Sequence, residues 1–381
     1  MVDNCNITRF PIEWNTRREP KRPTELRKDY FNGMKFNENF DWDNLWYDAV
    51  QINNNCVVLI GPPLYQTSNE LANRCKFVDA NNTVLGFQIF EMDRAGMTAI
   101  NTLGPVDDIK MISNTQTIIP VNQVCKDFDN RYCMFTLQKD NPISWIKQWI
   151  DYHHVNFGID GFLIYDNGSK DYSLDELESQ LYRPGATVKI VRWDVPYGPQ
   201  GFDCNYYNTW DSDYAQSSMF EHAKRRYLSN AKLAINADVD ELLAMEYATL
   251  DDVIKNINRD NVAGYCYKGR WIEPYDLANS KPAYEVDLKD RQFADYYCTD
   301  HRNHIGIGNK WMLIPNKALN NQWVVHSTGA AMRQNHDIYY GHYMPMNTNW
   351  SWDRDGFDRD ATGLVADPKL MNNLSKIRTQ R

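Results

Sequence analysis

The sequence predicts an α/β protein, a mainly parallel sheet flanked by helices, preceded by a small β-rich region. Three observations carry that prediction. Between residues 132 and 237, apolar strand-like runs alternate with stretches of helical periodicity, the order that builds parallel sheets. Before residue 125 the apolar runs are short and separated by turns, with no sustained helical pattern between them. Polar clusters follow directly on several strand runs, at the carboxyl ends where such sheets gather ligands.

In chain order, residues 1–43 are rich in Asn, Arg, Pro and Glu and read as an irregular arm. Residues 44–125 form the β-rich region, with runs at "CVVLIG" (56–61), "TVLGFQIF" (83–90) and "TQTIIPV" (115–121) between turns such as "GPPLYQTSN" and "DANNT". Residues 126–350 form the α/β domain. "YCMFTLQ" (132–138) is its first strand. In "NPISWIKQWIDYHHVNFG", Asn141 reads as the N-cap, Pro142 as the first helical residue and Gly158 as the stop. Ile143, Ile146, Trp149, Ile150 and His153 mark its buried stripe. Strand "DGFLIYD" (160–166), a helix around "SLDELESQLY", strand "TVKIVRW" (187–193), a longer helix through "DYAQSSMFEHAKRRYLSN" and strand "AKLAINA" follow. Residues 351–381 read as an acidic loop and tail. Their "WDRDGFDRDATG" supplies Asp353, Asp355, Asp358 and Asp360 but lacks the spacing of an EF-hand, so a solvated loop that closes over the site is expected.

Composition narrows the function. An apolar share of 43% suits a folded chain, and the 12 Trp and 23 Tyr suit either an aromatic core or sugar-facing platforms. A formal charge of −9 argues against nucleic-acid partners. Eight dispersed cysteines without a C-x-x-C pair give no zinc or disulfide signal. With no signal-like leader and no long apolar run, a cytoplasmic protein is expected.

The chemistry centres on "INADVDELL". At an extended strand end, Asp238 and Asp240 would point the same way, and two hard oxygen ligands there suit Mg²⁺ or Mn²⁺ on a phosphate-bearing substrate. Glu241 would point away and cap a helix beginning there. Alone, the pair reads rather as the acidic first turn of that helix than as a metal site. A second polar loop, "YDNGSKD", places Asp166, Asn167 and Ser169 on another strand of the same sheet, where Gly168 allows close backbone approach. No Gly-rich dinucleotide or P-loop pattern is present.

The order "WIKQWIDYHHVNFGIDGFLIYDNGSKD", "VRWDVPYG", "YAQ" and "INADVDELL" resembles the GT-A glycosyltransferases, nearest to the family 2-like group and family 92, over roughly residues 131 to 350. The resemblance implies a GT-A fold and transfer of a sugar from a nucleotide-sugar to a glycan acceptor, with inversion. UDP-galactose is the donor it favours. Asp166, Asn167, Ser169, Arg192 (or Asp194) and Gln216 would line the nucleotide pocket, and Asp238 and Asp240 would hold metal and diphosphate. "GNKWMLIPNKALNNQWVVHSTG" and "YYGHYMPMNTNW" resemble later segments of the family. They make Lys310 a candidate for neutralising phosphate charge, and His326 or His342 a third metal ligand. Inversion needs a carboxylate base, for which Glu273 in "GRWIEPYD" and Asp300 in "YCTDHRNH" are candidates. A lipid-linked acceptor would bring such an enzyme to a membrane surface only peripherally. Two alternatives remain: a metal-dependent phosphohydrolase or phosphotransferase using Asp238 and Asp240, and a non-catalytic sugar-binding protein. A HAD-type hydrolase would place D-x-D on its first strand and follow it with Thr or Val where this chain has "ELL".

Overall fold

The computed structural model describes residues 2–14, 16–21, 36–199, 212–302, 306–348 and 361–378. A nine-stranded sheet organises them. Its strands are β1 (Val2–Asp3), β2 (Tyr132–Gln138), β3 (Gly161–Asp166), β4 (Thr187–Arg192), β5 (Leu233–Asn236), β6 (Glu241–Met245), β7 (Gly264–Ile272), β8 (Asn309–Leu313) and β9 (Met332–Tyr343). Their spatial order is β1-β4-β3-β2-β5-β8-β7-β9-β6. The first five are mutually parallel, whereas β8 runs antiparallel to both β5 and β7. β9 lies parallel to β7 and antiparallel to β6. The expected α/β architecture is present, with its parallel half built from the alternating stretch and its second half mixed.

Local chemistry explains the helices of the parallel half. α1 (Ile143–Phe157) buries Ile146, Trp149, Ile150 and His153 from the expected stripe, with Trp145 and Tyr152. Gly158 ends it at φ 67°, where a side chain would cost about 1 kcal/mol. The N-cap is Pro142, not Asn141; the Asn141 amide instead lies 3.5 Å from Gln138 Oε1. α2 (Leu174–Leu181) is capped by Ser173, whose hydroxyl accepts from the Glu176 N–H at 3.1 Å, a contact worth about 1 kcal/mol. α3 (Tyr214–His222) runs into a π-helical turn at Ala223–Tyr227. α4 (Leu250–Arg259) and α5 (Pro368–Arg378) follow, and α5 packs on α1. The acidic loop with Asp353, Asp355, Asp358 and Asp360 lies outside the described residues.

Two expectations need correction. Residues 241–245 form strand β6, not a helix: every residue of "ELLAM" is buried, and pairing to Ile338–His342 of β9 supplies the backbone bonds a helix would have made internally. The arm is not wholly irregular either, because Val2–Asp3 adds the outermost parallel strand beside β4.

The β-rich region stacks a five-stranded sheet on a four-stranded one, with Leu45, Trp46, Leu59, Phe77, Ile109 and Ile119 between them. "TVLGFQIF" divides into two strands, Val84–Leu85 and Phe87–Met92. The five-stranded sheet packs against α3 and its π turn. Among the described residues no helix is long and apolar enough to cross a membrane.

Candidate active site

A cavity of about 950 Å³ opens at the carboxyl ends of β2 and β3, beside the turn that joins β5 to β6. Gln138, Asn141, Asn167, Gln216, Asp238, Asp240 and His342 are among its walls, and Asn39 enters from the N-terminal region. Ligands of parallel sheets gather at this edge because strands end there and loops diverge.

Asp238 and Asp240 do not share an extended strand end. They sit on a turn closed by the Glu241 N–H donating to the Asp238 carbonyl at 3.1 Å, and each carboxylate has its own partner. The Lys310 ammonium donates to Asp238 Oδ2 at 2.7 Å, and His342 Nε2 lies 3.1 Å from Asp240 Oδ2. The side chains of Asp240 and His342 remain partly exposed, at 17% and 15%. Trp271, on the neighbouring strand, stacks on the His342 ring at 4.4 Å and 23°, fixing its plane.

Glu241 turns back under this pair. It accepts from the Asp238 N–H at 2.8 Å and lies 3.1 Å from Lys310 Nζ, with both side chains 1% exposed. Burial raises the Glu241 pKa to about 7, against the lowering pull of Lys310 and with the repulsion of Asp238. Burial alone would lower the Lys310 pKa, but Asp238 and Glu241 outweigh it and hold it above the ordinary lysine value. Lys310 therefore lies beneath the acidic turn, as a fixed countercharge to it, and is not among the cavity walls.

Ligand atoms of Asp240, Glu241 and His342 lie within 4.8 Å of one another. Two carboxylates and an imidazole at this spacing suit a divalent cation such as Mn²⁺ or Mg²⁺, with Asp238 adjacent. His326 is not part of that group; its Nδ1 lies 3.0 Å from the Asn309 carbonyl.

The second loop divides its labour. Asp166, 1% exposed, accepts from the Ser169 N–H at 2.9 Å and its hydroxyl at 2.6 Å, and from the Gln138 amide. Burial raises the Asp166 pKa, and the Ser169 bonds oppose it. Asp166 and Ser169 thus shape the loop, while Asn167 faces the cavity and donates to the carbonyls of Trp193 and Val195 at 2.8 and 2.9 Å. Arg192 is exposed, 3.4 Å from Asp194, and not a cavity wall. Gln216 is one, within 3.4 Å of the Tyr197 hydroxyl. Glu273 is fully buried and Asp300 is held by the Arg302 guanidinium at 2.9 Å; neither is among the cavity walls.

Sequence reasoning passed over Lys139, Asp140, Asn141, Asp287, Lys289 and Asn347, all of which line the cavity. The rule that found "YDNGSKD" applies equally to "QKDN" after β2 and would have found the first three. Nothing local marks Asp287, Lys289 and Asn347, which arrive through long-range packing.

Residues 130–366 match Glycosyltransferase family 92. The chain belongs to that family. The matched segment holds the whole Asp238–Lys310–His342 constellation and all the named cavity walls but Asn39. No curated protein sequence matches the chain significantly. Among solved structures, TarS 1-349 from S. aureus is 11% identical over 56% of this chain and 61% of its own, with a TM-score of 0.31. The chain therefore spans about three fifths of that relative. HddC from Yersinia pseudotuberculosis is 11% identical over 55% and 92%, with a TM-score of 0.30. The mannosyltransferase Ktr4p from S. cerevisiae, solved in complex with GDP, is 16% identical over 40% and 42%, with a TM-score of 0.22.

Proposed function

We propose that this family 92 chain transfers a sugar, with inversion, from a nucleotide-sugar, a UDP-sugar such as UDP-galactose in first place, to a glycan acceptor. The observation that carries the reading is the partly exposed Asp240–His342 pair beside Asp238 on the wall of a large cavity lined mainly by the family domain. Asp240 and His342 hold Mn²⁺ or Mg²⁺, with Asp238 or Glu241 completing the protein's share. When bound, the cation withdraws charge from the leaving diphosphate. Lys310 keeps the turn rigid by fixing Asp238 and Glu241 from below, so ligand placement requires little reorganisation. Asn167 offers its amide oxygen, and Gln216 its amide, to the nucleoside.

The acceptor hydroxyl must lose its proton to a carboxylate as the bond forms. Glu273 and Asp300 were the candidates from sequence, and a base must face the substrate. Of the other carboxylates, Asp140, Asp171 and Asp287 line the cavity, and the base is drawn from these three. A cytosolic setting completes the proposal.

Thermal-shift measurements with UDP-, GDP-, CMP- and TDP-sugars, with and without Mn²⁺, test it. Stabilisation by one donor only with metal, and its loss in Asp240→Asn, is the expected result. No response to any donor, together with phosphate release from simple phosphoesters, would turn the reading to a hydrolase.

A further inference from the structure

A second cavity, of about 830 Å³, lies where the N-terminal region meets the family domain. Most of its wall comes from residues 5–9, 37–44 and 117–120, ahead of the family match; Asp194 and Pro196 close it from the domain side. We propose that this cavity is a saccharide subsite, taking the non-reacting rings of an uncharged oligosaccharide whose end reaches the neighbouring active site. Its assignment to the acceptor rests on the transferase reading; its binding of sugar does not.

Trp42 is the first support. The ring is half-buried and locked: it sits 4.5 Å from Phe40, which stacks on Phe36 at 5.6 Å and meets Tyr214 of α3 edge-on at 5.8 Å. Its indole N–H donates to the Asn37 carbonyl at 3.0 Å. A pre-oriented aromatic face suits the C–H face of a pyranose and loses little entropy on binding. Asn6, Arg9, Asp43 and Thr117 surround it with groups that match sugar hydroxyls.

Charge is the second. Among the described residues, the charged side chains of the wall that reach the surface are Glu38, Asp43, Asp194 and Arg9, with the Arg192 guanidinium 3.4 Å from Asp194, so the wall carries no cationic surplus. That balance disfavours nucleotides and anionic glycans. The third support is position. The helical turn Phe36–Asn39 is shared between the cavities: Asn39 lines the active-site cavity, while Asn37 and Glu38 line the second. Asn167 makes a second connection, because it lines the active-site cavity and holds the carbonyls on either side of Asp194.

Calorimetry on the full chain in EDTA, without nucleotide, tests the subsite. The probes are maltohexaose, cellohexaose, mannohexaose and galactohexaose, with a heparin-derived hexasaccharide as the anionic control. At least one neutral hexaose should bind saturably and the heparin fragment should not. Trp42→Ala should weaken binding at least tenfold. Asp43→Ala, at an exposed position, should weaken it severalfold and decides the matter if the tryptophan variant does not fold. No binding of any neutral hexaose, equal binding of the heparin fragment, or binding unaffected by Asp43→Ala would overturn the subsite. Absence of donor turnover would instead remove the transferase reading and leave sugar binding standing.

Discussion

Two clusters in this molecule use nearly the same side chains and reach opposite ends. At the junction of the N-terminal region and the family domain, Asp48, His222 and Cys5 come within ligand distance of one another. In the active-site cavity, Asp240, Glu241 and His342 do the same. In the first cluster both oxygens of Asp48 and both nitrogens of His222 are already engaged. His222 Nε2 lies 2.8 Å from Asp48 Oδ2 and its Nδ1 2.8 Å from the Tyr165 hydroxyl. Arg226 donates to the same Asp48 oxygen at 3.0 Å, and Asn6 and Asn122 occupy the other. A cation there would have to displace the Arg226 guanidinium from Asp48 and break the Asp48–His222 bond, at residues whose side chains are 0% exposed. That cluster fastens two regions together. Asp240 and His342 instead keep part of their surface on a cavity, and the fixed positive charge of Lys310 is directed at Asp238 and Glu241 rather than at them. Residue type nominates a metal site; the partners already present and access to solvent decide it.

The largest expected effect would separate the clusters by function. Asp240→Asn should lower turnover by roughly a hundredfold or more while shifting Tm little, since it removes charge at a solvent-accessible site. Steady-state rates beside a melting curve show this; a wild-type rate would place the metal elsewhere. Asp48→Ala should do the reverse. It strands the Arg226 charge in a buried site, at a loss of about 3–5 kcal/mol in denaturant unfolding, with turnover per folded molecule retained.

Next comes the question of which histidine acts. His342→Ala should raise the Mn²⁺ concentration needed for half-maximal donor binding by roughly 10–100-fold, as loss of a ligand or its orienter does in other metal sites. His326→Ala should leave it unchanged. Equal responses from the two variants would erase the distinction drawn from geometry.

A smaller effect concerns pH. Burial lowers the pKa of His222, and burial lowers that of His153 to about 3, where its Nε2 accepts from the Leu243 N–H at 3.1 Å. Both are held neutral when folded, so the unfolded chain binds more protons below its histidine pKa of 6.5. Their stabilisation is complete above pH 6.5 and declines as pH falls below it. Denaturant midpoints between pH 8 and 5 should therefore drop toward acid. His153→Gln should flatten that slope, and an unchanged slope would show that these rings charge without penalty.

Much of the parallel half was legible because its signals are local. Gly158 stops α1 in the left-handed region, and Trp149 and Ile150 mark the buried face at helical spacing. The acids of the site were legible for a similar reason, since a strand end followed by polar residues marks a ligand-facing edge. Asp166 and Ser169 show the limit of that rule, because it finds the loop without telling which side chain folds it and which faces the ligand.

"ELLAM" shows what stays hidden. Glu, Leu, Ala and Met are good helix formers, so propensity favours the helix. Strand β6 exists because β9, nearly a hundred residues later, offers its edge, and burial on both faces outweighs a preference of a few tenths of a kcal/mol per residue. By itself the sequence determined the alternating half, the stop of α1 at Gly158 and the acids at its edge, all written in neighbours along the chain. Only the tertiary structure decided that Lys310 lies under those acids, that His342 rather than His326 meets Asp240, and that the N-terminal arm walls a second cavity. Each of those depends on residues far apart in sequence meeting in a low-dielectric interior, where charge pairing and packing, not local preference, set the outcome.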